Sequence, residues 1–221
     1  MIVLVNGMVR SGSTWSYNVV LELLRRAHPD EIVYGGFSET PVEFLTRAPK
    51  SARHVAIKCH RLDRAARTLA RSGAARVVFT IRDPWDATAS GMRAFSVSFA
   101  EALGNVALGL EAMRFHRETG TAVIVPYVEM SRRPEAAIRR IARYLLGRGV
   151  PAGLVAEVAA ETSFERMREK AAAIVGKRQD RATLLYRNHV SDGASGYGRS
   201  CLTPRQVEAV ARRVAKYGLT L

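Results

Sequence analysis

The chain has 221 residues, of which 48% are hydrophobic and 24% charged, as is typical of one globular domain spanning 1–221. No uninterrupted apolar segment reaches the roughly 20 residues of a transmembrane helix, and no basic segment precedes the first apolar run as in a secretory signal. The two cysteines, Cys59 and Cys201, are too few for a disulfide scaffold. We therefore predict a cytoplasmic protein without a transmembrane segment.

The net charge is +14 at pH 7, and 29 of the 34 basic residues are arginines. A charge of this size favours anionic ligands, membrane surfaces or nucleic acids as partners. Because part of the arginine bias reflects overall composition, the charge alone does not choose among these partners.

Four apolar segments have the length of β-strands, and each precedes a segment with helical periodicity. The predicted strands are 2–5, 54–57, 76–81 and 122–127, and the predicted helices are about 14–27, 61–72, 97–118, 134–148, 151–160 and 204–217. This alternation predicts a three-layer, P-loop-like α/β fold in which helices flank a central parallel sheet and ligands bind at the carboxyl ends of the strands. Two segments rich in Gly, Pro, Ser or charge, 35–50 and 166–200, are predicted to be mobile loops.

The segment between the first strand and the first helix has the glycine spacing of a P-loop, Gly7-x4-Gly12. A strand, a glycine-bounded turn and a helix N-terminus form an anion site because backbone N–H groups converge there. Ser13 occupies the position of the usual phosphate-binding lysine, and the cation lies inside the loop, at Arg10. The loop therefore predicts a nucleotide held without Mg²⁺.

Polar side chains also follow the second strand, which ends in Lys58-Cys59-His60. Side chains alternate along a strand, so Lys58 and His60 are predicted to point together towards the first loop. A histidine has a suitable pKa for a general base, and a lysine can stabilise a leaving-group oxygen.

The third strand ends at Arg82, and Ser90 lies two turns into the helix that begins near Pro84. An arginine presents a bidentate fork to phosphate, and a serine adds a hydroxyl donor. Equally compatible with the sequence is a structural role, in which Asp83 and Asp86 are helix N-terminal carboxylates that only pair with Arg82.

Five motifs in the same order resemble the cytosolic-type sulfotransferases that use 3′-phosphoadenosine 5′-phosphosulfate (PAPS). The first three are residues 10–15, Lys58-Cys59-His60, and Arg82 with Ser90 eight residues on. The other two are Tyr127-Val128-Glu129-Met130 before Pro134, and Thr162-Ser163-Phe164. The resemblance extends over nearly the whole chain and implies the sulfotransferase fold.

The resemblance implies transfer of a sulfuryl group from PAPS to a hydroxyl or amine of a small-molecule, glycan or lipid acceptor, without a metal. His60 would be the base, assisted by Lys58 and Arg10. The implied cofactor-binding residues are Arg10, Ser11, Gly12, Ser13 and Thr14 for the 5′-phosphosulfate, Arg82 and Ser90 for the 3′-phosphate, and Trp15, Tyr127, Thr162 and Phe164 for adenine.

The chain differs from the family in one segment of the 3′-phosphate site. In the family, a pair of basic residues followed by a glycine loop completes this site. Here the pair is Ser191-Asp192, although Gly193 and Gly196 align with the two glycines. We expect Arg187, His189 or Arg199 and the backbone N–H groups of the glycine loop to compensate. The family's C-terminal dimerisation motif is also absent, so we expect a monomer or a weak homodimer.

The sequence leaves the identity of the base and the nature of one segment open. The base is either His60 or a glutamate such as Glu39 or Glu43. Residues 165–185 are either a lid that substrate orders or a solvated loop.

The rival functions are an ATP-dependent kinase, which would need Mg²⁺ and the missing lysine, and a non-catalytic anion-binding or nucleic-acid-binding protein. The arginines of 132–148 spread over much of that helix opposite an apolar face, which favours a solvated surface over specific nucleic-acid binding.

Overall fold

The computed structural model describes residues 1–176, 179–187 and 195–219. These residues contain a five-stranded sheet in which every neighbouring pair of strands is parallel. Its strands are β1 (Ile2–Gly7), β2 (Ile32–Phe37), β3 (Ala52–Cys59), β4 (Ala75–Ile81) and β5 (Ala122–Pro126), in the spatial order β2-β3-β1-β4-β5. β1 is the central strand, so the loop at its end, residues 7–12, lies in the middle of the carboxyl edge of the sheet. We call this segment the phosphate loop.

Helices cover both faces of the sheet. They are α1 (Ser13–Ala27), α2 (Pro41–Arg47), α3 (Arg64–Arg71), α4 (Pro84–Phe95), α5 (Phe99–Thr119), α6 (Tyr127–Arg132), α7 (Pro134–Leu146), α8 (Ala152–Glu161), α9 (Phe164–Ala172), α10 (Gly198–Cys201) and α11 (Pro204–Lys216). Among the described residues, no helix is both long enough and apolar enough to cross a bilayer.

The core is divided by the sheet because successive strand residues point to opposite faces. Leu4 and Phe79 belong to one buried cluster, which α3, α4, α5 and α11 cover. Val3 and Val78 belong to the other, which α1, α7 and α8 cover. The predicted three-layer α/β fold is thereby confirmed, while the single domain over 1–221 stays a prediction.

The prediction of a mobile loop over 35–50 is wrong, because this segment contains half of β2 and all of α2. β2 is an edge strand, and Ile32 and Phe37 at its two ends are exposed. Its glycines serve close packing: a Cβ on Gly35 would lie 2.6 Å from the Tyr17 hydroxyl. Because of its two glycines, β2 has the composition of a loop, although its backbone pairs with β3 as a strand.

The prediction of a loop from residue 166 onward is also wrong in its first part, which is occupied by α9. Ser163 is the N-cap of α9, and its hydroxyl accepts from the backbone N–H of Arg166 at 3.2 Å. Only Met167 and Ala171 of this helix are buried, so its apolar stripe is one residue wide. Such a narrow stripe in a charged segment gives almost no helical signal. Residues 188–194 of the predicted loop lie outside the described residues.

Candidate active site

The loop after β1 has the backbone of an anion cradle. Arg10 and Gly12 both adopt left-handed conformations, with φ of 66° and 84°. The first intrahelical bond of α1 runs from Ser16 N to Gly12 O at 3.0 Å, so the preceding N–H groups of 13–15 have no intrahelical acceptor. Gly12 also contributes no capping side chain. The loop therefore presents N–H groups and the positive end of a 15-residue helix to an anion.

Ser11 fixes this loop to the sheet. Its buried Oγ lies 2.6 Å from Met8 O, 3.0 Å from Thr80 O and 2.7 Å from Thr80 Oγ1. Thr80 belongs to β4, so the hydroxyl ties the loop to the neighbouring strand. Its backbone N–H also donates to Met8 O, at 3.1 Å. The contact of Ser11 with a cofactor stays a prediction.

Lys58 and His60 meet at the end of β3, with Lys58 Nζ 3.1 Å from His60 Nε2. The other ring nitrogen, Nδ1, lies 2.7 Å from Gly7 O. A carbonyl only accepts, so Nδ1 carries the proton and Nε2 offers its lone pair to the lysine. The Gly7 carbonyl thus selects the tautomer in which Nε2 can accept a proton.

Lys58 is 5% exposed, and burial lowers its pKa to about 8. The nearby charge of Arg10 acts in the same direction, while the carboxylate of Glu39 opposes both. The Phe37 ring lies under the ammonium at 4.9 Å from its centroid. The lysine is therefore a desolvated cation near the phosphate loop, where its charge acts strongly on a bound anion.

Glu39 has a role that the sequence pattern did not predict. Its Oε2 accepts the backbone N–H of His60 at 3.1 Å and that of Arg61 at 2.7 Å. The carboxylate therefore holds the chain where it leaves β3. Nothing in the sequence pairs residues 21 and 22 positions apart in this way. The other glutamate considered as a base, Glu43, is exposed on α2 and accepts the Thr40 hydroxyl at 3.1 Å.

Arg10, Arg82 and Ser90 form one connected group. Arg10 Nε donates to Ser90 Oγ at 3.1 Å, and Arg82 Nη1 donates to Arg10 O at 3.3 Å. The Arg82 guanidinium lies 4.1 Å from the centroid of the Tyr127 ring. Burial lowers the pKa of Arg10, and the charge of Arg82 adds to that effect. Two arginine side chains from different elements thus converge on the same edge of the sheet as Lys58.

The interpretation of Asp83 and Asp86 needs refinement. Asp83 is the N-cap of α4, as its Oδ1 accepts Asp86 N at 2.9 Å. Asp86 is buried, lies 4.0 Å from Arg82 Nε, and accepts the N–H groups of Gly196 and Gly198 at 2.7 Å each. This carboxylate therefore attaches the glycine loop to α4, a contact across 110 and 112 residues.

The aromatic residues predicted for adenine lie on one side of the site. Trp15 Nε1 donates to Thr162 O at 2.9 Å, which joins α1 to the turn between α8 and α9. The Thr162 hydroxyl donates to Val158 O at 2.7 Å. The Phe164 ring is 38% exposed, with the Arg168 guanidinium 4.7 Å from its centroid.

These groups line one cavity of about 540 Å³, within the usual size of a small-molecule site. The predicted residues among its lining are Arg10, Gly12, Ser13, Thr14, Trp15, Lys58, His60, Arg82, Tyr127, Thr162 and Phe164. Ser11 and Ser90 are buried and contact other residues of the loop instead. Arg187 is exposed, and the backbone N–H of Gly196 is bound to Asp86. His189 and Gly193 lie outside the described residues.

The cavity combines a phosphate loop without the usual lysine, two arginines, and a lysine in contact with a histidine. Such an arrangement suits the transfer of a negatively charged group. The sulfotransferase domain family matches residues 2–216, so the chain belongs to the sulfotransferase family. The family membership and the enzyme class predicted from the motifs, PAPS-dependent sulfotransferase, are thereby confirmed. A comparison with curated proteins gives no significant match.

Solved structures share the fold at low sequence identity. A mouse sulfotransferase, SULT7A1, complexed with PAP, is 17% identical with a TM-score of 0.71, covering 98% of this chain and 83% of its own. Retinol dehydratase in complex with androsterone and the inactive cofactor PAP is 14% identical with a TM-score of 0.68, covering 98% of this chain and 80% of its own. These similarities confirm the architecture.

Proposed function

We propose that the enzyme transfers the sulfuryl group of PAPS to a hydroxyl or amine of a small-molecule, glycan or lipid acceptor, with His60 as the general base. The observation that carries this proposal is the Lys58–His60 pair. The ring proton is held on Nδ1 by Gly7 O at 2.7 Å, and Nε2 lies 3.1 Å from the ammonium at the mouth of the phosphate loop. Base and cation are thus positioned beside the anion cradle.

The residues of the cavity fit PAPS, the donor of the sulfuryl group. The N–H groups at the start of α1, together with Arg10 and Lys58, would hold the 5′-phosphosulfate. Arg82 and Ser90 would hold the 3′-phosphate. Trp15 and Phe164 would stack on adenine, with Tyr127 and Thr162 beside it.

In the proposed reaction the acceptor oxygen or nitrogen forms a bond to sulfur while the bond from sulfur to the phosphate oxygen breaks. His60 takes the acceptor proton on Nε2. Lys58 leaves Nε2 and donates to the departing oxygen, where negative charge develops, and Arg10 stabilises the same charge. The movement of Lys58 to the departing oxygen therefore also frees Nε2 of His60. The acceptor loses its proton only when an anion is bound at the phosphate loop.

We further infer that the enzyme acts in the cytoplasm as a monomer or a weak homodimer, without specific nucleic-acid partners. The two cysteines are unpaired, and Cys59 is buried in the core, as a reducing compartment allows. Sedimentation of the purified chain tests the oligomeric state.

Single-turnover transfer of labelled sulfuryl from PAPS to an acceptor found by screening tests the base. We expect His60→Ala to slow transfer by about 10²–10⁴-fold while affinity for adenosine 3′,5′-bisphosphate stays within about threefold. Glu43→Gln is the control and should retain full activity. A His60→Ala enzyme with near-normal turnover, together with a Glu39→Gln enzyme that is inactive, would assign the base to Glu39 instead.

A further inference from the structure

A second polar cluster lies at the opposite edge of the sheet from the active site. It contains His28 at the end of α1, Glu31 in the following turn, and His54 near the start of β3. Their metal-ligating atoms all lie within 4.8 Å of one another, and no other group of three His, Cys, Asp or Glu residues in the described ranges meets that criterion. Sulfuryl transfer as proposed uses none of them.

The donor atoms of this cluster are incompletely satisfied. His54 Nε2 lies 2.6 Å from Glu31 Oε2, and because a carboxylate accepts, the ring donates through Nε2. The opposite nitrogen, His54 Nδ1, is buried and has no hydrogen-bond partner among the described residues. Since no described residue holds Nδ1, the ring proton can move to this nitrogen when Nε2 binds another group.

The two imidazole rings of the cluster are packed against each other. The rings of His28 and His54 are stacked with their centroids 4.4 Å apart. The His54 ring is 5% exposed, so the protein surrounds it on nearly all sides. Glu31, whose side chain is 44% exposed, supplies a negative charge that can adjust its position.

We propose that His28, Glu31 and His54 bind a divalent transition-metal ion such as Zn²⁺, with water as the fourth ligand. Two imidazole nitrogens and one carboxylate are donors that Zn²⁺ accepts readily, whereas Mg²⁺ and Ca²⁺ prefer oxygen ligands. Tetrahedral ligands about 2.0–2.2 Å from one ion lie about 3.4 Å apart, so the cluster closes by shifts of about 1–1.5 Å. His28 and Glu31, which are partly or largely exposed, can make these shifts.

The ion would be structural, because the site is distant from the chemistry. His54 and Lys58 lie four residues apart on β3, about 13 Å at about 3.3 Å per residue. The ion would join the carboxyl end of α1 to β3 and to the turn that leads into β2. Since α1 starts at the phosphate loop, the site would stabilise the element that carries the loop. We therefore expect metal to raise stability and to leave the rate of sulfuryl transfer unchanged.

The test uses the untagged full chain carrying Cys201→Ser, which removes an exposed thiol that could bind metal by itself. After treatment with EDTA and dialysis, it is titrated with ZnCl₂ by calorimetry, and its thermal unfolding is followed. We expect one ion per chain and a Tm increase of about 5 °C at a hundredfold excess over Kd. Co²⁺ should give the visible absorption of a tetrahedral site.

His28→Ala and Glu31→Gln should each weaken Zn²⁺ binding at least tenfold. Both substitutions are outside the core, so the chain is expected to fold. Glu22→Gln, which alters a carboxylate on α1 outside the cluster, is the control and should bind Zn²⁺ normally. The proposal would be overturned if the parent chain and the three variants bound Zn²⁺ with equal affinity, or if the parent chain showed no stoichiometric binding. Sulfuryl transfer measured with EDTA separates that failure from a failure of the proposed function.

Discussion

Lys58 gives a prediction about stability, because the burial that suits this residue to its proposed catalytic role also destabilises the folded protein. The folded protein lowers its pKa from 10.5 to about 8, chiefly through desolvation. Each unit of pKa difference corresponds to about 1.4 kcal/mol. The charged lysine therefore destabilises the folded state by about 3 kcal/mol at pH 7.

Replacing the charge by an apolar side chain of similar length removes that cost. We expect Lys58→Met to be inactive and yet more stable than the wild type at pH 7, by about 2 kcal/mol. The gain is less than about 3 kcal/mol because the variant loses the contacts of the ammonium with His60 and with the Phe37 ring. This is the stability–activity exchange expected at a functional site.

The gain should depend on pH. The unfolded chain binds more protons than the folded one between pH 8 and 10.5, so the wild type recovers stability as pH rises through that range. The advantage of Lys58→Met should be full below pH 8 and should vanish near pH 10.5. Urea unfolding at several pH values measures it, with Lys50→Met at an exposed lysine as the control. A destabilised Lys58→Met protein at pH 7, or an advantage that does not change with pH, would refute the reasoning.

Three further substitutions test the framework of the site. Gly12→Ala should cost about 2–3 kcal/mol and weaken nucleotide binding, because φ is 84° and a Cβ would overlap the Met130 side chain; a cost below about 0.5 kcal/mol in urea would contradict this. Glu39→Gln should move the alkaline limb of the pH–rate profile to lower pH, because the carboxylate raises the pKa of Lys58, and an unmoved limb would argue against the coupling. Asp86→Asn should cost about 3 kcal/mol in urea unfolding, since it removes the negative charge beside the buried Arg82 guanidinium and leaves one of the N–H groups of Gly196 and Gly198 without an acceptor; an unchanged midpoint would show that this carboxylate is dispensable.

The sequence predicted the parts of the site that lie close along the chain. The alternation of Lys58 and His60 at a strand end is a local property, and their 3.1 Å contact follows from it. The phosphate loop is local as well, since two glycines and a helix start lie within seven residues. The same holds for the parallel sheet, whose apolar strands are separated by segments with helical periodicity.

Contacts between distant segments could not be predicted in this way. Glu39 reaches the backbone after β3 from the end of β2. The sequence analysis missed β2 because two adjacent glycines, which make room for Tyr17 and Phe44, give it the composition of a loop. Asp86 accepts two N–H groups from a loop 110 and 112 residues away. A single sequence shows that an aspartate is suited to a helix start, but not which backbone packs against it.

The measurement that most directly tests the central claim is calorimetric titration with adenosine 3′,5′-bisphosphate, in EDTA and again in Mg²⁺. We predict one site per chain, the same affinity under both conditions, clear preference over adenosine 5′-diphosphate, and at least tenfold weaker binding in Arg82→Ala. Arg76→Ala is the matched control at an exposed arginine in β4 and should bind normally. Binding that requires Mg²⁺, or that favours the nucleotide without a 3′-phosphate, would contradict the account and favour a kinase.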